Sequence, residues 1–254
     1  MTVIPLRPRL TAPTVRAQQP PGRWHDRIWV SDEPLAQPDD YLHAVRRFPE
    51  SGLWPVLIPG DGRFASSGED WIDDRPFLRP AADQIGARDP AAVLAGWWRG
   101  ECCKPDCLAP FGQEFPGLAR RSSRRCDPFA AAASKGLLLA SVRPYRLGLV
   151  RVEHPADVPA TLGWSGAVNW TQDVAAMSAV LRSWEERFGA LLIVLGFDEL
   201  QLSVASAPTT PERAQRTAAE HISFCPDNFR GQPGSLRDFA GGLVGSQLWR
   251  FWWD

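Results

Sequence analysis

His221 and Cys225 are the pair whose residue types and spacing most suggest chemistry. Residues four apart on a helix are neighbours on one face, so an imidazole and a thiol come within reach of each other. Such a pair can supply a nucleophile and its base, or two ligands for a metal ion. Asp227 and Asn228 follow at once and add an acid and an amide to the same corner. A plainer reading competes with this one. Both positions lie on the stripe that a helix would pack inward, cysteine is a common core residue, and a buried histidine often only satisfies a hydrogen bond. Pro226-Asp-Asn228 is also an ordinary way to stop a helix. The sequence favours the plainer reading.

Three further groups invite a chemical interpretation. Cys103 and Cys107 have three residues between them, and Cys126 lies further on. A structural zinc needs a second ligand pair to complete its tetrahedron, and Cys126 has no neighbouring ligand. The pattern is incomplete, so a loop with free thiols and no metal is expected. Trp164, Asn169 and Trp170 place two indoles beside a polar loop, which can line a recognition pocket or lid the core. With Asn228 and Trp249 they make up the candidate binding residues. Asp73 and Asp74 are adjacent, so their carboxylates point apart and read as a solvated loop rather than a cation site. No phosphate-cradling loop, H-E-x-x-H or dinucleotide fingerprint is present, and no cofactor is expected. Gly163-Trp-Ser-Gly-Ala167 begins like a nucleophile elbow, but it has Ala where the last Gly belongs and follows a helical pattern.

Composition narrows the classes. With 28 basic against 29 acidic residues the net charge is −1, so no global field favours nucleic acid. The short run Arg120-Arg-Ser-Ser-Arg-Arg125 has no interleaved aromatics and reads as solvated linker. No apolar run approaches the roughly 20 residues of a membrane span. The N-terminus lacks the apolar segment of a secretory signal, and five cysteines are too few and too uneven for a disulfide framework. A reducing cytoplasm is the expected setting. Tryptophan is the anomaly, at 12 residues against 2 tyrosines. It is favoured in cores and at binding hot spots alike.

Periodicity indicates the elements that position these residues. Residues 1–22 are rich in Pro, Arg, Thr and Gln and read as a disordered arm. A Pro- and Trp-rich α/β region is expected over 23–118, with strands at Arg27–Val30 and Gly52–Ile58 and a helix at Tyr41–Phe48. Asp39 or Asp40 would cap that helix, and Pro55 would put the second strand at an edge or mark its start. A linker follows over 119–143, with a helix within it at Ala130–Leu139. The last region, 144–254, reads as an α+β domain. Asp173 opens a helix that Gly189 ends. Ala190–Phe197 and Leu200–Ala205 form a β-hairpin. Thr209-Thr-Pro-Glu212 offers a capping box for the helix carrying His221. Four aromatics fall in the final six residues, and Trp249, Phe251 and Trp253 alternate with Leu248, Arg250 and Trp252. Period two means a strand. The expected fold is α+β: a mixed sheet with helices packed on it, completed by the aromatic C-terminal strand.

Several of these stretches resemble the bacterial DUF4253 family, a domain of unknown function. They are Arg146-Leu-Gly-Leu-Val150, Ala156-Asp-Val158 with Leu162-Gly-Trp164, Val180–Gly189, Ala219-Glu-His-Ile-Ser-Phe-Cys-Pro-Asp-Asn228 and the ending Phe251-Trp-Trp-Asp254. The resemblance covers roughly 145–254. Tyr41–Ile58 and Phe111–Ala119 resemble the region upstream in longer actinobacterial members. The resemblance implies a bacterial cytoplasmic protein and supplies no activity or site. The leading expectation is a non-enzymatic module that binds another protein, with a toxin-neutralising immunity role as one version. The alternatives are a hydrolase or thiol-dependent enzyme using His221, Cys225 and Asp227, and small-ligand binding by the Trp164–Trp170 loop.

Overall fold

The alternation at the C-terminus becomes a strand with two unlike faces. In β7 (Leu248–Trp252) Trp249 and Phe251 are buried, while Arg250 and Trp252 are exposed. A computed structural model describes residues 19–59, 79–80, 82–100, 106–121, 126–230 and 234–254. The expected arm to residue 18 and the Asp73–Asp74 pair lie outside these. Upstream of β7, β5 (Ala190–Leu195) and β6 (Glu199–Val204) pair antiparallel as the hairpin read from the sequence, and β7 adds to β6. The sheet continues through β1 (Gly22–His25), β2 (Ile28–Ser31), β3 (Leu53–Pro59) and β4 (Tyr145–Arg151), in the order β1-β2-β4-β3-β5-β6-β7. Every pairing is antiparallel except β3 with β5. The fold is α+β with a mixed sheet.

Helices cover both faces. On one face α1 (Asp39–Ser51) packs on β3, and α4 (Pro128–Val142) packs on β5 and β6 and against α1. The two helices approach closely because Gly136 has no side chain: a Cβ there would lie 2.0 Å from the Tyr41 ring. Between the chain positions of these layers lie the short α2 (Ala82–Gly86) and α3 (Pro90–Trp97). After β4 come a 3₁₀ turn at Pro155–Asp157, α5 (Val158–Leu162) and α6 (Val174–Phe188), which packs on β5. Asp173 accepts a hydrogen bond from Ala176 N at 2.9 Å to start α6, and Gly189 ends it in the left-handed region at φ +58°. Then α7 (Pro211–Phe224), a 3₁₀ turn at Pro226–Asn228 and α8 (Leu236–Gly241) lead to β7.

Some expectations are corrected. Pro55 does not mark an edge, since β3 lies between β4 and β5, but it does fall near the start of the strand, as its third residue. Its registered pairing to β5 is confined to Leu57 and Val194, and near the proline the Trp54 indole N–H donates instead to Leu192 O at 2.7 Å. A side chain thus replaces a ladder bond on a strand where Pro55 has no N–H to give. The N-cap of α1 is Pro38, with no side-chain cap, and Asp39 and Asp40 lie in its first turn. The cap of α7 is Thr210, which accepts from Arg213 N, not the box begun at Thr209. Gly22–His25, partly assigned to the arm, is a strand. The helix expected at Ala130–Leu139 within the segment 119–143 is present and longer, as α4 from Pro128 to Val142. Because β4 lies between β2 and β3, no edge of the sheet falls at residue 144.

Deleting Trp249–Asp254 removes three side chains that are 1–2% exposed, Trp249, Phe251 and Trp253. Each would fill space that nothing else fills, at about 3–5 kcal/mol per ring. The truncated chain is expected to lose its cooperative urea transition. A truncated protein that still unfolds in one sharp step would show that β7 is dispensable.

Candidate functional site

The helix α7 brings His221 and Cys225 to the same end of the core, as the spacing required, but it seals both. His221 is 2% exposed and Cys225 is 0% exposed. Four rings surround the imidazole, with centroids at 4.6 Å (Trp249), 4.8 Å (Phe251), 5.2 Å (Trp184) and 6.3 Å (Phe239). Burial, and then the positive charge of Arg187, lower its pKa to about 3. Burial pushes the Cys225 thiol up to about 12, against the opposing hydrogen bonds of Asn228 and Trp252. At neutral pH the pair is a neutral imidazole and a neutral thiol. The thiol does not point at the imidazole: Sγ donates to Trp252 O at 3.0 Å and to Asn228 Oδ1 at 3.5 Å. The link between the two residues is the helical bond from Cys225 N to His221 O. A nucleophile with its base needs an open cleft and a low-pKa thiol, and neither is present here.

What these residues do becomes clear from the outer edge of β7. An edge strand presents unpaired N–H and C=O groups. Here side chains meet them one after another. Ser246 Oγ donates to Leu248 O at 2.9 Å. The Asn228 amide donates to Arg250 O and accepts from Trp252 N at 3.1 Å, as a neighbouring strand would. Cys225 Sγ takes Trp252 O, and Asp227 Oδ2 accepts from Asp254 N at 3.3 Å. Asn169 Nδ2 donates to Asp254 O at 2.7 Å. The candidate acid Asp227 and candidate binder Asn228 are therefore parts of a clasp on the terminal strand. Trp249 is a core ring stacked edge-on against Trp184 and Phe188.

The Trp164–Trp170 loop does not present two open indoles. Trp164 is 2% exposed, donates through Nε1 to Gly196 O at 2.9 Å and packs edge-on against Trp253 at 5.6 Å. Trp170 is half-buried, with the Arg99 guanidinium 4.9 Å over its ring. The zinc pattern also fails. Cys107 is disulfide-bonded, so its sulfur is no thiolate ligand, and Cys126 is free and exposed. Cys103 lies outside the described residues, among which no group of three His, Cys, Asp or Glu could hold a metal. The Cys107 disulfide also corrects the expectation of free thiols in that loop.

The most buried charge in the region was missed by sequence reasoning. Glu220, 0% exposed, accepts from Ala119 N at 2.6 Å, Trp184 Nε1 at 2.7 Å, and Arg187 Nη1 and Nη2 at 2.9 and 2.5 Å. Arg187 also donates to Ala119 O at 2.8 Å. Stripe analysis passed over Glu220 because the middle of α7 has no solvent face: Thr217 to His221 are consecutive buried residues. A second cluster ties the start of α5 to α6. Arg182 forks onto Asp157 with two bonds of 2.6 Å, and His154 Nδ1 lies 3.1 Å from Glu185 Oε1.

Residues 146–254 match the DUF4253 family, a domain of unknown function. No curated protein and no solved structure matches the chain. The upstream resemblances at 41–58 and 111–119 lie outside the matched residues. Within the DUF4253 region, the Phe224-Cys-Pro-Asp-Asn228 stretch and the Phe251-Trp-Trp-Asp254 ending are the two halves of the clasp. Phe224 packs on Phe251 and Trp253, and the next residues bond the backbone of the strand. Among the described residues no helix is long and apolar enough to cross a membrane.

Two predictions follow the clasp and its histidine. Asn228→Ala removes both halves of a backbone-mimicking bond, so a loss of about 1–3 kcal/mol in urea-determined stability is expected; an unchanged midpoint would show that the edge needs no clasp. For pH, the folded-state pKa of His221 is lowered below 6.5, so its contribution is full above pH 6.5 and falls away as the pH drops toward 3. The expected loss between pH 6.5 and pH 5 is on the order of 2 kcal/mol. His154 opposes this, because its hydrogen bond to Glu185 raises its pKa: its contribution is present below pH 6.5 and is lost as the pH rises through the raised value. Stability measured from pH 7 to pH 5 should fall steeply in His154→Ala and be flatter in His221→Leu. Equal slopes in the two variants would refute the assignment.

Proposed function

We propose that this protein is a non-enzymatic interaction module that binds another protein through one end of its sheet. The observation that carries this reading is the grouping of its exposed apolar side chains. Among the described residues seven large hydrophobic side chains are exposed, and five of them, Leu138, Val142, Val168, Phe197 and Trp252, belong to segments that meet around the turn between β5 and β6. Contacts link them. Gly166, two residues before Val168, lies against Phe197 O, where a Cβ would come within 2.2 Å. The Trp252 indole donates to Asp198 Oδ2 at 3.1 Å. Glu199 pairs across from Trp252, and it meets Arg143, the residue after Val142, at 3.7 Å. Single exposed apolar residues are ordinary, whereas a grouped set that includes a tryptophan is the usual mark of a contact surface.

The conversion of His221, Cys225 and Asp227 to packing and edge bonding supports the same reading. A toxin-neutralising immunity role is a concrete version of it, in the bacterial cytoplasm that the family resemblance implies. A photo-crosslinking residue placed at Phe197 tests the proposal, with one at Trp24, on the far edge strand, as control. Irradiation in bacterial cells should give a discrete adduct from position 197 that Trp252→Glu abolishes, and none from position 24. Adducts from neither position, or ester or thioester turnover that Cys225→Ala eliminates, would overturn it.

A further inference from the structure

On the face that carries α1 and α4, the helical layer stops one strand short. A helix is about 10 Å across and strands lie about 4.8 Å apart, so each helix roofs about two strands. With α1 on β3 and α4 on β5 and β6, β7 is left bare among the described residues. Arg250 and Trp252 point to that face and are exposed, Trp252 by 42%. The flank of α4 above this gap is apolar. Gly136 and Phe129 turn toward α1, against Tyr41 and Phe48. The opposite flank carries Ala131, Leu138 and Val142, the last two 54% and 69% exposed. Since α1 lies over β3, the flank turned away from it overhangs β7. Wall and floor together make a shelf one helix wide.

Two arguments choose the occupant. Strand addition at β7 is blocked, because Asn228, Cys225 and Ser246 already hold its outer carbonyls and the Trp252 N–H. A partner therefore has to lie on the face, and a helix does so by side chains alone. Asp198 and Glu199 lie at the turn end of the shelf, beside Trp252, and Glu199 is met by Arg143; the charges along the rest of its length are basic. Lys135 on the wall and Arg250 on the floor form no ion pair among the described residues. A second copy of this chain would bring the same two cations against them, which opposes self-pairing. We infer that the shelf formed by Leu138, Val142 and Trp252 seats one amphipathic helix of a protein partner, apolar where it lies down and acidic along its flank. This inference rests on the interaction reading above and names its partner's chemistry.

The test uses the full chain with a photo-crosslinking residue at Val142, compared with the same residue at Phe197, and maps the crosslinked peptide by mass spectrometry. The expected result is a peptide from another protein with apolar residues at helical spacing and Asp or Glu beside them. Lys135→Glu combined with Arg250→Glu should lower its yield at least about fivefold without shifting the melting temperature, since neither cation is paired among the described residues. A crosslinked peptide that is basic or lacks helical spacing, one from residues 1–18 or 60–78 of this chain, or one from a second copy would overturn the inference. So would a yield indifferent to the double charge reversal. An adduct from position 197 with none from 142 would overturn it while leaving the interaction reading standing, and adducts from neither would remove both.

Discussion

The buried contact between Glu220 and Arg187 is the constraint on which the arrangement around the core depends. A carboxylate with no solvent exposure is tolerable only if nearly every lone pair is met. Glu220 achieves this by drawing in three groups from two separate pieces of chain: the backbone at Ala119, and on α6 the indole of Trp184 and the guanidinium of Arg187 one turn further along. Arg216, one turn earlier on α7, reaches Pro116 O and holds the same upstream segment. The upstream chain is thus fastened to the helices that roof β5 to β7. The same geometry fixes Trp184, whose ring stacks on Phe251 at 5.3 Å and stands edge-on to Phe224 and Trp249. Any arrangement that leaves Glu220 without these partners is strongly disfavoured, because it buries an uncompensated charge.

From that node the aromatic core leads to the clasp. His221 is packed on one side by the ring of Trp184 and on the other by β7, which explains why an i, i+4 pair that looks chemical carries no open chemistry. The helix was chosen to bring a flat polar ring against two indoles and a phenyl, and the residues after it were chosen to hold an edge. Blocking that edge with single side chains leaves the strand unable to pair with another chain, a means of avoiding aggregation that costs no additional strand. It also decides where recognition can occur. A protein whose terminal strand is occupied at its edge but bare on one face offers side chains rather than backbone to a partner.

The legible parts of the fold were those whose cause is local. The hairpin at 190–205 and the strand at 248–252 carry their own alternation, and Asp173 and Gly189 bracket a helix with their own capping chemistry. Less legible parts depend on residues far away in sequence. β1 has a polar, mostly exposed tetrapeptide, Gly22-Arg-Trp-His25, with no apolar face to reveal it. The central position of Pro55 depends on Trp54 bonding Leu192 O, 138 positions later. For the candidate site, the sequence brought His221, Cys225, Asp227 and Asn228 to one corner correctly. It could not supply the sign of their environment, which is set by Trp184, Trp249, Phe251 and the backbone of residues 250–254.

The matched region begins at the start of β4, yet β4 and β5 are not neighbours: β3 lies between them, antiparallel to one and parallel to the other. Taken alone, residues 146–254 hold a sheet with a slot one strand wide between β4 and the other three strands. In this chain Leu53–Pro59 fills the slot. The unit that similarity delimits and the unit that hydrogen bonding closes are therefore different objects, the first a socket and the second the socket with its plug.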